Sequence, residues 1–270
     1  MTEIPLCSAA QAFDAMAPDF DARFRAWASV AAQRRAVRAT LLDQFPPKGH
    51  ILEIGGGTGE DALFLAERGF RLLLTDASPA MVDIAEKKLR FLGSCAQIVA
   101  AEEMENFAEE RRRAGELPFD GAFSDFAPLN CVQDIRSVAK GLALLLKPDA
   151  AVMLVLFGTC CPAEIVVETL RGRPRNALRR FHRGAAPATL AQRSFEVFYH
   201  RGSELQRAFG PWFELERKIG IGLAVPPSAA EPWISRYPHL LAKLEAFDRT
   251  MAHLLAPFGD HVLYQFRRRR

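Results

Sequence analysis

Ile51-Leu52-Glu53-Ile54-Gly55-Gly56-Gly57-Thr58-Gly59 is a short apolar run that breaks into four glycines just before a helical pattern begins at Glu60. The run reads as a strand and the glycines as its turn into a helix. Gly55, Gly56, Gly57 and Gly59 let the chain reverse sharply and bring bare backbone close to a ligand, an arrangement that suits a nucleoside.

Gly57-Thr58-Gly59-Glu60-Asp61-Ala62 also fits the G-x-G-x-x-G/A pattern of dinucleotide binders. Electrostatics separates the two readings. A pyrophosphate sits on a helix N-terminus, where free N–H groups and the helix dipole favour an anion. Here that first turn carries Glu60 and Asp61, which would face the phosphates. A cationic, phosphate-free nucleoside such as S-adenosylmethionine meets no such conflict. Glu53 fits the same account, because a carboxylate can interact with an ammonium group directly or through water.

With these residues the chain resembles the class I S-adenosylmethionine-dependent methyltransferases of the small-molecule type, whose first motif has the form E-x-G-x-G-x-G. The next apolar run, 70–75, ends at Asp76, about twenty residues downstream, where the resemblance places an acid on the ribose hydroxyls. Ala77-Ser78-Pro79-Ala80-Met81 follows as in the family, with Ser78 capping a helix at Pro79 and Met81 set against the adenine. A third run, 97–101, leads into Glu102-Glu103-Met104. The family's adenine-binding Asp is replaced by Ala101, so the resemblance assigns that role to Glu102 or Glu103. The fourth strand leads through Ser124-Asp125-Phe126 to Asn130. In the family this loop borders the methionine part of the cofactor and the substrate, so Asp125 would neutralise the ammonium and Asn130 would orient an acceptor or cap the helix at Cys131. Near the N-terminus, Phe13-Asp14-Ala15-Met16-Ala17-Pro18-Asp19-Phe20-Asp21 resembles the F-D-x-x-A-x-x-Y-D start of many such enzymes, in which a helix covers the cofactor. Phe20 stands where Tyr is usual and keeps the aromatic wall without its hydroxyl.

From Ile51 onward the pattern alternates, with strands near 51–55, 70–75, 97–101, 120–125 and 150–157 and helices near 59–69, 79–91, 103–114 and 131–147. Alternating βα units imply an α/β fold, a Rossmann-like and mostly parallel sheet with helices on both faces. The resemblance raises the count to seven strands and makes the last one, 261–267, antiparallel. Ligands bind such sheets at the carboxyl ends of the strands, where Gly55, Asp76, Glu102 and Asp125 all fall.

A chain of 270 residues, 49% hydrophobic, can bury one sizeable core, and we read it as one domain. Within it, 1–48 would be a helical cover, 49–158 the cofactor-binding core, 159–201 and 226–259 helical lid insertions, the first ending in an aromatic, strand-like run at 194–200, and 202–225 with 260–270 the closing helix and strand pair. Net charge of +3 is too mild to imply a nucleic-acid partner. Five cysteines form no zinc-ligand spacing, so no metal is expected, and they read as reduced cytoplasmic thiols. The N-terminus lacks the basic and apolar stretches of a signal peptide, and no apolar run is long enough to span a bilayer.

Arginines 171, 173, 175, 179, 180 and 183 crowd one segment. Arg179 and Arg180 would recognise an anionic or carrier-bound acceptor, guanidinium being a bidentate match for carboxylate and phosphate. His261, after Asp260 at the start of the last strand, is the leading general base, with Tyr199 and His200 in reserve. The expected activity is methyl transfer from S-adenosylmethionine to a small molecule in biosynthesis, O-methylation ahead of N or C. The competing readings are an NAD(P)-dependent oxidoreductase and a non-catalytic cofactor-binding subunit. The first separation is calorimetric: S-adenosylmethionine or S-adenosylhomocysteine binds, whereas NAD and NADP do not.

Overall fold

The apolar run before the glycines becomes the strand at which the sheet's order reverses. In the computed structural model, which describes residues 6–182 and 184–270, the chain runs through α1 (Ala9–Arg25), α2 (Ala28–Gln44), β1 (His50–Ile54), α3 (Glu60–Ala66), β2 (Arg71–Asp76), α4 (Pro79–Leu89), β3 (Cys95–Ile98), α5 (Met104–Arg113), β4 (Phe119–Ser124), α6 (Ile135–Leu145) and β5 (Leu146–Phe157). It continues through α7 (Pro162–Leu170), α8 (Pro174–Ala177), β6 (Ala185–Leu190), β7 (Arg193–Phe198), α9 (Gly202–Phe209), β8 (Phe213–Ile221), α10 (Pro238–Met251) and β9 (His261–Arg268). Arg183 of the arginine cluster and the first five residues, on which the signal-peptide reading partly rests, lie outside the described residues.

Seven strands form one sheet in the order β3-β2-β1-β4-β5-β9-β8, and β9 alone runs antiparallel to both its neighbours. Side chains alternate across the sheet, so successive residues of β1 serve opposite cores. Leu52 and Ile54 join Val138 and Leu142 of α6, Leu205 and Phe209 of α9, and Val262, Tyr264 and Phe266 of β9. Ile51 joins Leu41 of α2, Leu65 of α3, Leu89 of α4 and Phe123. Both faces are covered, as buried parallel strands require. The expected elements are all present, with small shifts at their ends. The third strand falls at Cys95–Ile98 rather than 97–101, and β5 starts at Leu146 rather than 150 because a bulge beside Phe119 carries the chain through Asp149 at φ +62°.

The first insertion departs most from expectation. After α7, α8 and a tight turn at Arg179–Phe181, the chain builds a separate β6–β7 hairpin. The aromatic strand of that hairpin was legible in the sequence, but its partner was not. Ala185–Leu190 is built from Ala, Pro, Thr and Leu, a weak strand signal, and only pairing with β7 through the Ala191-Gln192 turn, both residues at positive φ, makes it a strand. Leu6 bridges Ser194 of β7, joining the N-terminal segment to the hairpin. The second insertion, 226–259, does not roof the site. Its Ala230, Ile234 and Leu241 pack with Ala32 of α2 and Val225 on the flank of the molecule.

The antiparallel strand anchors the α9 side through Phe266, fully buried and stacked on Phe209 with ring centroids 4.8 Å apart. Phe266→Ala should cost about 3–5 kcal/mol of unfolding free energy in a urea titration, the range for an aromatic truncated in a core that collapses only in part.

Candidate active site

Two strand-to-helix turns meet at one carboxylate. Asp76, at the end of β2, accepts from the Gly57 amide at 2.9 Å and from the Ser78 amide at 2.8 Å, tying the glycine turn to the start of α4. Burial raises its pKa and these amide donors pull it back down. A Cβ on Gly55 would stand 2.4 Å from Pro128, and one on Gly56 would stand 2.5 Å from Leu74. At Gly57, with φ +53°, a Cβ would meet only the Met81 sulfur at 3.9 Å. The turn is therefore pressed against protein on one side and open on the other, where a ligand can reach the backbone. Gly59 differs: it caps α3 at φ +77° and packs on Ala85, away from the opening.

The opening is a cavity of about 600 Å³ whose walls include Glu53, Asp76, Ala77, Met81, Glu102 and Phe126. Glu103 turns back to accept from the Ala100 amide at 3.4 Å, so of the two candidate acids Glu102 is the one on the cavity wall. Met104 is not there, contrary to expectation. The tight turn Ala101–Glu103 swings it into the core, where it meets Gly141 of α6. Ser124 is likewise withdrawn, donating to the Ile54 carbonyl at 2.9 Å and holding β4 to β1.

α1 is fastened over this cavity by the two aspartates of its F-D…F-D motif. Asp14 accepts from the Ser78 hydroxyl and from the Ala80 amide at 3.0 Å, capping α4 from outside. Asp21 accepts from Thr58 of the glycine turn at 2.5 Å and from Lys88 at 2.6 Å. Phe13 and Phe20 face the cavity between these anchors, and Phe13 packs on Phe195 of the hairpin at 5.8 Å. Cover helix and hairpin thus form one roof.

The cavity is acidic. Glu53, Asp61, Asp76, Glu102, Asp125 and Glu196 line it, against Arg34 and Arg179. The two acids that argued against a phosphate ligand are themselves neutralised, Glu60 by Lys88 at 2.6 Å and Asp61 by Arg38 at 2.6 Å and Arg34 at 3.3 Å. A different pair is not. Glu53 and Asp125 are each buried, and Glu53 Oε2 and Asp125 Oδ2 have no hydrogen-bond partner among the described residues. Burial drives both carboxyls well above the ordinary range, and Asp61 beside them adds to it. Orphaned buried carboxylate oxygens are costly unless a ligand pairs with them, and the ligand that does so is a cation. Phe126 and Ala127, next to Asp125, both sit at positive φ, 55° and 68°. Such strain in residues with a Cβ gathers at functional sites.

Arg34 was missed in the sequence. It stands one helical turn before Arg38 on α2, and both reach Asp61 across the same face, so the i,i+4 spacing was the available signal.

The acceptor side differs from expectation. His261 is buried behind the wall rather than in it. Its ring stacks on Phe157 at 5.0 Å and meets Phe126 edge-on at 5.6 Å, and burial lowers its pKa. β9 does start at the cavity end of the sheet, but the Phe157 and Phe126 rings stand between its first residue and the opening. His200 is also withdrawn, its Nε2 2.8 Å from the Val132 carbonyl. Tyr199 does line the cavity, with its phenol pKa raised by burial. Asn130 lines it too, but both ends of its amide are used: it donates to the Phe198 carbonyl at 2.5 Å and accepts from the Phe157 amide at 2.9 Å, bracing β5 against the hairpin rather than capping a helix.

The arginine cluster is divided. Arg179 lines the cavity and pairs with Glu164 at 2.5 Å. Arg180 is buried and unavailable to an acceptor. It bridges Glu164 and Asp260 and donates to the Gly158 and Asp260 carbonyls, latching the first insertion onto the ends of β5 and β9. Cys161, Glu164 and Asp260 come together as metal ligands could, but the Arg180 guanidinium already supplies the cation among them.

Residues 23–197 match the family model described as "Methyltransferase domain". The tRNA 5-carboxymethoxyuridine methyltransferase of Escherichia coli K12 is 30% identical over 126 residues, 43% of this chain and 43% of the relative. The ubiquinone/menaquinone biosynthesis C-methyltransferase of Zymomonas mobilis is 28% identical over 94 residues, 34% of this chain and 35% of the relative. The matches thus span less than half of either relative. Among solved structures, an S-adenosylmethionine-dependent methyltransferase from Mesorhizobium loti superposes with a TM-score of 0.54 at 17% identity, covering 88% of this chain and 98% of that one. With the family model covering more than half of its length, the chain belongs to the methyltransferase-domain family.

Proposed function

We propose that the enzyme O-methylates a small molecule whose reacting oxygen is already ionised near neutral pH, a carboxylate or an acidic phenol or enol. The observation that carries this reading is the makeup of the acceptor side. Phe157, Phe195, Val197 and Tyr199 make it apolar, and Arg179 offers a guanidinium. No histidine lines the cavity among the described residues. Of the other groups there that could take a proton, Tyr199 is held back by burial and Cys131 by burial to a pKa of about 12, while Glu196, between the buried Phe195 and Val197 on β7, is exposed to solvent. An acceptor that needs no deprotonation fits such a wall, and orientation with exclusion of water then supplies the catalysis.

When bound, S-adenosylmethionine supplies an electrophilic methyl group on a sulfonium. Glu53 and Asp125 would hold its ammonium, Asp76 its ribose, and Glu102 and Met81 its adenine end, with Phe20 as an aromatic wall. Residues 1–48 and the hairpin of 159–201 serve as the covers, while 226–259 buttresses α2. A tRNA acceptor is the second reading, favoured by the activity named for the Escherichia coli relative. Incubation with methyl-tritiated cofactor separates them. Label should enter alkali-labile esters or ethers in the small-molecule fraction of a cell extract, and label in total tRNA would replace the first reading with the second.

Two mutational outcomes follow. His261→Ala should lower kcat only a few-fold and leave the rate flat across neutral pH, well short of the ~10²–10⁴ loss expected for a general base. Glu53→Gln should weaken cofactor affinity about tenfold or more, the scale of one charge-assisted hydrogen bond. It should also stabilise the ligand-free protein. Because the folded Glu53 carboxyl titrates far above its unfolded value, its contribution to stability is full at acid pH and is lost as pH rises through the folded pKa. The variant's Tm advantage should therefore be largest in mildly alkaline buffer and vanish at about pH 4.

A further inference from the structure

We infer that a second, basic cavity beyond Tyr199 binds an anionic group, carboxylate or phosphate, carried by the methyl acceptor. The inference rests on the proposed methyl transfer to a small molecule and extends it to a site that the cofactor cavity does not contain. The second cavity has a volume of about 420 Å³ and lies against the outer part of the sheet. Tyr199 lines both cavities, so the two are neighbours across one side chain.

The chemistry of the two is opposite. The first is walled by six carboxylates, whereas the second has Arg180, His182, Arg201 and Lys218 on its walls and no carboxylate among its described lining residues. Arg180 is spent on Glu164 and Asp260, but the others are not: among the described residues no carboxylate lies within ion-pair distance of Lys218, Arg201 or His182. Lys218 stands opposite Tyr264 on the paired strands β8 and β9, its ammonium 5.8 Å from the ring centroid. Both polar tips converge on the first residue of α9. A Cβ on Gly202 would meet the Tyr264 hydroxyl at 3.1 Å and the Lys218 ammonium at 3.3 Å, and Arg201 precedes it. Burial holds the Tyr264 phenol at a pKa of about 12, so it stays a hydrogen-bond donor.

An ammonium and a phenol thus meet at the first residue of α9, whose preceding Arg201 amide is already taken by Glu204 Oε2 at 2.9 Å, and Arg201 and His182 complete the basic wall of a recess of the size that holds a small ligand. A molecule with its anion here and its body extending past Tyr199 would reach the cavity where the methyl group is delivered. That is why we assign the site to the acceptor and not to a free ion.

The test is calorimetry on the full chain saturated with S-adenosylhomocysteine, with inorganic phosphate and phenyl phosphate as probes. Phosphate should bind saturably, and phenyl phosphate more tightly because its ring can lie along Tyr199. Lys218→Gln and Arg201→Gln should each weaken both probes about tenfold, the loss of one charge-assisted contact, with S-adenosylhomocysteine affinity and Tm unchanged. Absence of saturable phosphate binding, or wild-type affinity in the Lys218→Gln, Arg201→Gln double variant, would overturn the site. Equal affinity for the two probes would overturn its assignment to the acceptor and leave a free-anion site. Failure of the methyltransferase reading would show separately, as absent S-adenosylhomocysteine binding in the wild type.

Discussion

The Asp76 carboxylate holds the site together. By accepting from Gly57 on one side and Ser78 on the other, it locks the β1–α3 turn to the β2–α4 turn, so that two loops far apart in function share one geometry. The roof is then added to that unit rather than to the sheet. Asp14 binds the start of α4 and Asp21 binds Thr58 in the glycine turn, so α1 is registered on the same two turns. Three buried or half-buried aspartates thus order the glycine loop, the helix beside it and the cover above it. Each does so by satisfying backbone amides or hydroxyls that would otherwise lack partners.

Charge within the site is sorted by whether it is paired. Four basic side chains, Arg34, Arg38, Lys88 and Arg25, neutralise the acids at the start of α3 from behind. Glu53 and Asp125 receive no such partner, although Arg34 lies close enough to pull their pKa values down. The protein bears the cost of two crowded buried carboxyls while empty. A cation paired with them would offset that cost and displace the protons that burial favours on them.

The roof divides the space into two chemically distinct parts. One is acidic and aromatic and adjoins the glycine turn, and the other is basic and adjoins α9, with Tyr199 between them. Arg180 keeps this partition in place. Its bridge from Glu164 to Asp260, with Gln33 of α2 donating to the same Asp260 at 3.1 Å, joins the first insertion, the last strand and the second helix in one buried network. Arg180, one of the two arginines read in the sequence as anion-recognising, is thereby a structural tie, and among the described residues Lys218 on β8 and Arg201 at the start of α9 have no carboxylate within ion-pair distance.

The sequence by itself determined the parallel βα core and its glycine turn, and the resemblance carried by its motifs added the antiparallel last strand and the cofactor class. Those features are written in local pattern: strand and helix periodicity, glycines where backbone must come close, and an acid at the end of the next strand. Spacing placed Gly55, Gly57 and Asp76 at strand ends, and the resemblance placed Met81, because each lies within a few residues of a strand-to-helix turn. Tertiary structure decided everything that depends on which side chains meet across long separations. It turned His261 behind Phe157, gave Arg180 to Asp260 eighty positions away, used both ends of the Asn130 amide on backbone from two other segments, and brought Arg34 under Asp125. A histidine beside an aspartate reads as a base in one dimension. Whether its ring reaches a cavity depends on two phenyl rings contributed by the end of β5 and by the loop after β4, and no local pattern records where those rings will stand.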